Sequence, residues 1–175
     1  MIAPELQRFV ELFVRWNGRI NLSAARTVEE VTLQVVDCLA LVPYVEGPRV
    51  LDVGSGGGLP GLVLALSLPD IHVVSLEPVH KKAAFQSTAI RELGIRNAEV
   101  QARRVDPDVD TGFDTAISRA TFDLREWLDR GRRLVRSGGV VLGMEGREQR
   151  ELPADAERLP YAHGDRTRAV IRYRP

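Results

Sequence analysis

The segment from Val50 to Leu66, "VLDVGSGGGLPGLVLAL", constrains the fold more than any other part of this chain. An apolar strand-like stretch leads into Gly54, Gly56, Gly57 and Gly58, and a second apolar run follows them. Pro60 suits the first turn of a helix, because its φ is already set and its missing N–H would have no partner there. Strand, glycine loop and helix in that order open a βαβ unit whose loop backbone can approach a ligand closely.

The loop chemistry narrows the ligand. A nicotinamide fingerprint, G-x-G-x-x-G, needs a third small residue for close helix–strand packing, and position 59 is Leu. The pattern present is D-x-G-x-G-x-G, formed by Asp52, Gly54, Gly56 and Gly58, with Ser55 and Leu59 in the same loop. A carboxylate directed into the loop would repel a pyrophosphate and favour a ligand carrying positive charge. S-adenosylmethionine has an ammonium, a sulfonium and no phosphate, so the charge pattern selects it. Glu77 ends the next apolar strand, "HVVSLE", about 20 residues on, where doubly wound folds set an acid against ribose hydroxyls.

The rest of the chain alternates. Leu6, Phe9, Val10, Phe13 and Val14 have helical spacing, which predicts a helix over 5–16. A second helix is predicted over 28–42, with Thr27 and Glu30 as a capping box. After the glycine loop and its helix, "HVVSLE", "AEVQA", "FDTAISRA" and "VVLGME" read as strands. Helices fall at 81–93 and 124–135, "RSGG" reads as a turn, and "RAVIRYR" reads as a closing strand. The stretch 149–165 reads as a loop or short hairpin. Strands alternating with helices predict an α/β fold with a parallel, doubly wound sheet covered on both faces.

Composition excludes several classes. The 24 basic and 24 acidic side chains cancel, so any nucleic-acid surface must be a local patch. Cys38 is the single cysteine, which rules out an internal disulfide and suits a reducing compartment. His72, His80 and His163 are scattered without metal-ligand spacing, so no metal is expected. No apolar run reaches the ~20 residues of a membrane span, and acids interrupt the first apolar run. A single cytoplasmic domain is the expectation, with no membrane partner. Trp16 and Trp127 fit apolar helical stripes and read as core.

Several segments together resemble the bacterial glucose-inhibited division protein B family, the small-subunit rRNA guanine-N7 methyltransferases. They are "RWNGRINLS", the glycine loop continued by Leu59, Pro60 and Gly61, "LEPVHKKAAF", "FDTAISRA" with Ser118, Arg119 and Ala120, and "GDRTRAVIRYRP". The resemblance implies a Rossmann-like class I methyltransferase with a mostly parallel sheet, an antiparallel C-terminal strand and N-terminal helices. It implies a helical lid over 1–46 and a cofactor-binding core over 47–175. For the cofactor it implies Asp52, Gly54, Ser55, Gly56, Gly58, Leu59, Glu77, Asp106 and Arg119. Near the reacting atoms it implies Arg119, Ser118 and Asp37. Asn21 would belong to the lid.

The implied partner is small-subunit ribosomal RNA or the ribosomal subunit, met by Lys81, Lys82, Arg166 and Arg168, with Arg91 and Arg96 extending the patch. Guanine N7 carries a lone pair and no proton, so no general base is expected. Four positions depart from the family pattern. Gln34 stands for a histidine, Cys38 for a serine, and "RRVD" leaves only Asp106 of an acidic pair. Glu145 stands for a lysine beside the expected substrate pocket. These departures allow an alternative, a diverged relative with another RNA or small-molecule substrate or no activity. A nicotinamide oxidoreductase is disfavoured by Asp52 and Leu59.

Overall fold

The computed structural model describes residues 2–146 and 151–175. Two helices come first, α1 (Pro4–Ile20) and α2 (Val28–Leu39). The alternating part follows as β1 (Arg49–Val53), α3 (Gly61–Ser67), β2 (His72–Leu76), α4 (His80–Leu93), β3 (Ala98–Gln101), β4 (Phe113–Ser118), α5 (Leu124–Gly131) and β5 (Val135–Glu145). Two further strands close the chain, β6 (Ala156–His163) and β7 (Arg166–Tyr173). All seven strands form one sheet in the order β3-β2-β1-β4-β5-β7-β6. The pairs among the first five are parallel, and β7 is antiparallel to both β5 and β6.

The local reasons match the sequence pattern. Thr27 and Glu30 form the expected capping box at the start of α2. α1 ends at Asn21, whose φ of 53° is left-handed, a conformation asparagine tolerates at a helix end. β4 is buried along its whole length, as a central strand covered on both faces should be. Trp127 is buried and donates its indole N–H to the Leu142 carbonyl at 2.8 Å, and Trp16 packs its ring against Phe85. Trp127 is a core residue as expected, and Trp16 is partly buried against the core.

Several boundaries differ from the sequence reading: α1 runs on to Ile20, and α2 stops at Leu39, short of Val42. α5 stops at Gly131 instead of Val135, and Val135 already belongs to β5. The "RSGG" segment is an irregular part of that strand. Its register against β4 shifts between Phe113 and Thr115, so residues 136–139 bulge out of the ladder without ending it. The C-terminal end holds two antiparallel strands instead of one. β6 reads poorly because it is an edge strand, half exposed and interrupted by Pro160, which only an edge tolerates.

The N-terminal helices join the same core as the sheet. Phe9 and Phe13 of α1 pack on Phe85 of α4, the Phe13 and Phe85 rings meeting edge-to-face at 5.6 Å. A Cβ on Gly57 would stand 2.4 Å from the Phe13 ring, so a glycine there lets α1 close directly on the loop. The turn between α1 and α2 is held by Asn17, which is buried. Its amide donates to the Ser23 carbonyl at 3.2 Å and to that of Ala25, and its Oδ1 accepts the Ser23 N–H at 2.9 Å. Asn17 belongs to the "RWNGRINLS" segment, but the resemblance assigns it no role. The signal available was an amide on the buried face of an amphipathic helix.

Candidate active site

Strand order reverses between β1 and β4, and ligands bind open α/β sheets at the carboxyl ends of such a pair. A cavity of about 340 Å³ lies there. Its floor is the glycine loop with Leu59; Glu77, Pro78 and Lys82 form one wall and Arg119, Ala120 and Thr121 the opposite one. Phe13 and Gln34 come over from the N-terminal helices, and Leu22 and Ser23 from the turn between them. A second cavity of about 320 Å³ adjoins it across Gly54, Pro78 and Thr121. Leu76, Val105 and Phe122 give it an apolar lining, rimmed by Arg103, Arg104 and Arg130.

Backbone bonds fix the loop. Gly54 has φ +71°, and a Cβ there would fall 2.4 Å from Thr121 Oγ1. Thr121 in turn donates its hydroxyl to the Gly54 carbonyl at 3.1 Å, joining that wall to the floor. Glu77 is buried and accepts the Gly56 N–H at 2.7 Å and the Val79 N–H at 2.8 Å, one on each oxygen. Gln86 of α4 donates to Ser55 Oγ and to the Gly56 carbonyl, both at 2.7 Å. The sequence reading missed Gln86 and Thr121. Gln86 was detectable as a single amide on a buried stripe with Ala83, Phe85 and Ala89.

Known proteins share this sequence pattern and this fold. The sequence matches the family model for rRNA small subunit methyltransferase G over residues 2–171. The chain belongs to that family. It is 40% identical to the ribosomal RNA small subunit methyltransferase G of Methylobacillus flagellatus over 158 residues, 89% of this chain and 77% of that one. It is 41% identical to the protein of the same name from Laribacter hongkongensis over 162 residues, 87% of this chain and 78% of that one. Among solved structures it resembles cofactor-bound Rv0187 from MTB, with TM-score 0.66 and 19% identity, covering 99% of this chain and 90% of that one. It also resembles a SAM dependent methyltransferase from Aquifex aeolicus, with TM-score 0.56 and 17% identity, covering 79% of this chain and 88% of that one. At these identities the two structures show a shared fold, a Rossmann-like α/β sheet with antiparallel strands at its C-terminal end.

Within this family member, the expected site residues divide. Gly54, Ser55, Gly56, Leu59, Glu77 and Arg119 line the first cavity. Gly58 lies one step behind its wall, with its carbonyl accepting the Leu62 N–H at 2.9 Å. Asp52 does not point into the loop, as the charge argument expected. It is fully buried, and its Oδ2 accepts the Gly61 N–H at 2.7 Å, fixing the start of α3 to β1. Its Oδ1 has no partner. Burial raises its carboxyl from 3.8 to about 7, the Gly61 bond and the Arg119 charge opposing the shift and nearby Glu77 adding to it.

Ser118 is buried at the end of β4 and donates to the Val53 carbonyl at 2.9 Å, binding β4 to β1 instead of facing the cavity. Asp106 is exposed and outside both cavity walls, and its Oδ1 accepts the Asp108 N–H at 3.0 Å. The acid that is ordered in that loop is Asp110, clamped by Arg103 through two bonds of 2.7 and 2.6 Å. That hydrogen-bonded pair holds the Asp110 carboxyl below the usual range.

Asp37 is buried, away from the helix surface. It meets Tyr161, His163 and Arg168 of the C-terminal strands, and Arg119. Arg168 is therefore engaged with Asp37, although it was expected to meet RNA. Arg166 and Lys81 are exposed and Lys82 lines the cavity, all at the carboxyl edge of the sheet. Arg91 lies at the far end of α4, about 15 Å along its axis from that edge, and Arg96 lies beyond that end, so they do not extend the patch.

Asn21 is exposed and accepts from Arg26 at 2.9 Å. Gln34 stands in the cavity wall, so that departure from the family pattern does touch the site. Glu145 does not. It is buried and accepts from Arg158 Nε at 2.7 Å and Nη2 at 3.0 Å. The reversed charge at position 145 is thus matched by an arginine from the neighbouring hairpin. Cys38 is fully buried, which pushes its thiol up to about 12 and keeps it neutral. Among the described residues no cluster of His, Cys, Asp or Glu could hold a metal ion, and no helix is long and apolar enough to cross a membrane.

Proposed function

We propose that this chain transfers a methyl group from S-adenosylmethionine to N7 of a guanine in small-subunit ribosomal RNA. The observation that carries the reading is the cavity at the switch point, which sets the Glu77 carboxylate and the Arg119 guanidinium in walls on either side of the glycine loop. The cofactor has the same division of charge: hydroxyls that donate at one end, a carboxylate that accepts at the other. The space fits as well, since a Cβ placed on Gly56 would meet nothing within 4 Å. Glu77 uses one lone pair on each oxygen for the loop and keeps the others for ribose hydroxyls. Arg119 supplies charge-assisted donors to a carboxylate. Leu76, Val105 and Phe122 give the adjoining cavity an apolar slot suited to a purine. The relatives' names supply the acceptor, small-subunit ribosomal RNA.

When bound, S-adenosylmethionine supplies an electrophilic methyl group on a sulfonium. Guanine N7 has a free lone pair and no proton, so the chain would need to supply no base. The chain then has to align the partners and exclude water. Its cavity is suited to both. The titratable side chains in it are Glu77, Lys82 and Arg119, and Glu77 is already fixed by two amides. Phe13, Leu22 and Leu59 furnish apolar wall. Asp52 and Ser118 act from beneath by holding α3 and β4 to β1. Residues 1–46 serve as the lid, and Lys81, Lys82 and Arg166 meet backbone phosphates.

The test is transfer of labelled methyl into small ribosomal subunits that lack their native modification, followed by nucleoside analysis. Label is expected in N7-methylguanosine, and Glu77→Ala should reduce transfer on the order of 100-fold, the effect of losing one well-placed polar group in a closed site. Absence of label with cofactor binding intact would move the function to a different acceptor.

A further inference from the structure

We propose that Asp37 is the positioning residue for Arg119, and that Tyr161 and Arg168 act on the cavity through it. The inference rests on the reading of the cavity given above, and it adds the C-terminal strands to the working parts of that site. Asp37 lies near the end of α2 with 2% of its surface exposed. Its Oδ1 accepts the Tyr161 hydroxyl at 2.6 Å, and its Oδ2 accepts Arg168 Nη1 at 2.7 Å. Arg119 approaches the same Oδ2 through Nε at 3.8 Å, too long for a hydrogen bond but close for an ion pair. His163 brings Nδ1 to 3.7 Å from Oδ1, and that nitrogen is buried without a hydrogen-bond partner.

The charge count gives this cluster a direction. One carboxylate faces two guanidiniums, and Arg168 makes the short bond. The second positive charge, Arg119, shares that carboxylate only through its more distant Nε, in the cavity wall. Among the described residues no acceptor hydrogen-bonds its Nη1 or Nη2. Asp37 therefore restrains Arg119 by its Nε side and leaves its terminal nitrogens for an anionic group of a ligand. Ala120, next in the chain, has φ of 56°, an uncommon conformation that fixes where the Arg119 backbone leaves β4. Tyr161 and Arg168 hold Asp37 from β6 and β7, so displacement of those strands would shift Arg119.

Two measurements test this together. In the ligand-free protein the Arg119 Nε–H resonance, assigned by its loss in Arg119→Lys, should be displaced from solvent-exposed arginines and should move towards them in Asp37→Asn. In calorimetry with S-adenosylhomocysteine, Asp37→Asn should raise Kd about tenfold and Tyr161→Phe about threefold. In an Arg119→Ala background Asp37→Asn should change Kd less than about twofold, because the group it positions is gone. Equal factors in both backgrounds, or an unmoved resonance, would overturn the proposal, and Tyr161→Phe supplies the same comparison if Asp37→Asn does not fold. If the resonance moves but the wild type does not bind S-adenosylhomocysteine, the cofactor reading fails while the positioning of Arg119 stands.

Discussion

The glycine loop after β1 and the cluster around Asp37 both hold buried carboxylates beside one cavity, and they are built from opposite kinds of contact. In the loop the acids meet backbone. Asp52 accepts from Gly61, nine residues on, and Glu77 accepts from Gly56 and Val79. In the cluster the acid meets side chains, from residues 124 and 131 positions away. The first arrangement is a property of a short segment and its neighbouring strand. The second exists only once the C-terminal strands have closed against α2. A ligand between them would therefore be gripped on one side by rigid local geometry and on the other by long-range assembly.

The loop side is the easier to break. Gly54→Ala puts a side chain at φ +71°, costing about 1 kcal/mol. The new Cβ also falls 2.4 Å from Thr121 Oγ1, and forcing atoms into a packed site adds about 2 kcal/mol. A loss of about 3 kcal/mol is expected in urea unfolding, with ligand binding abolished. Stability within about 0.5 kcal/mol of wild type would mean that the loop yields and is not the rigid partner.

That contrast also explains what was legible in the sequence. The loop could be read because its glycines, Asp52 and Glu77 signal through local spacing, and the βαβ alternation announced a parallel sheet covered on both faces. The direction of Asp52 was misread, since spacing places a residue at a strand end without saying which way its carboxylate turns. The role of Arg168 was hidden for another reason. A cation on an alternating strand looks the same whether it meets solvent or a buried acid from a helix far back in the chain. Position 145 shows the same limit, because a reversed charge reads as a lost function until Arg158 is seen opposite it.

The cluster side should break more gently. Arg168→Ala removes the 2.7 Å bond to Asp37 but leaves Tyr161 and Arg119 in place. Loss of a hydrogen bond to a charged group predicts about 2 kcal/mol in the same unfolding experiment. Because the pair is partly exposed, Arg168→Lys should recover part of it. A neutral result for Arg168→Ala would make the cluster incidental to folding and weaken the contrast with the loop.

The loop side also offers a test by pH, through the buried Asp52. Asp52 has one amide donor and an oxygen without a hydrogen-bond partner. Burial raises Asp52 to about 7 from 3.8, so between those values the folded state holds a proton that the unfolded chain has released. Folding stability attributable to Asp52 is then complete below pH 3.8, falls as pH rises towards 7, and is level above it. Asp52→Asn keeps an acceptor for the Gly61 N–H and cannot titrate. The difference in unfolding free energy between variant and wild type should therefore shift in the variant's favour through that window. One proton sets the steepest possible slope, about 1.4 kcal/mol per pH unit. Other titrating groups cancel in the difference. Parallel stability curves from pH 4 to pH 8 would show that Asp52 is ionised in the fold throughout, and that the loop carries a buried negative charge after all.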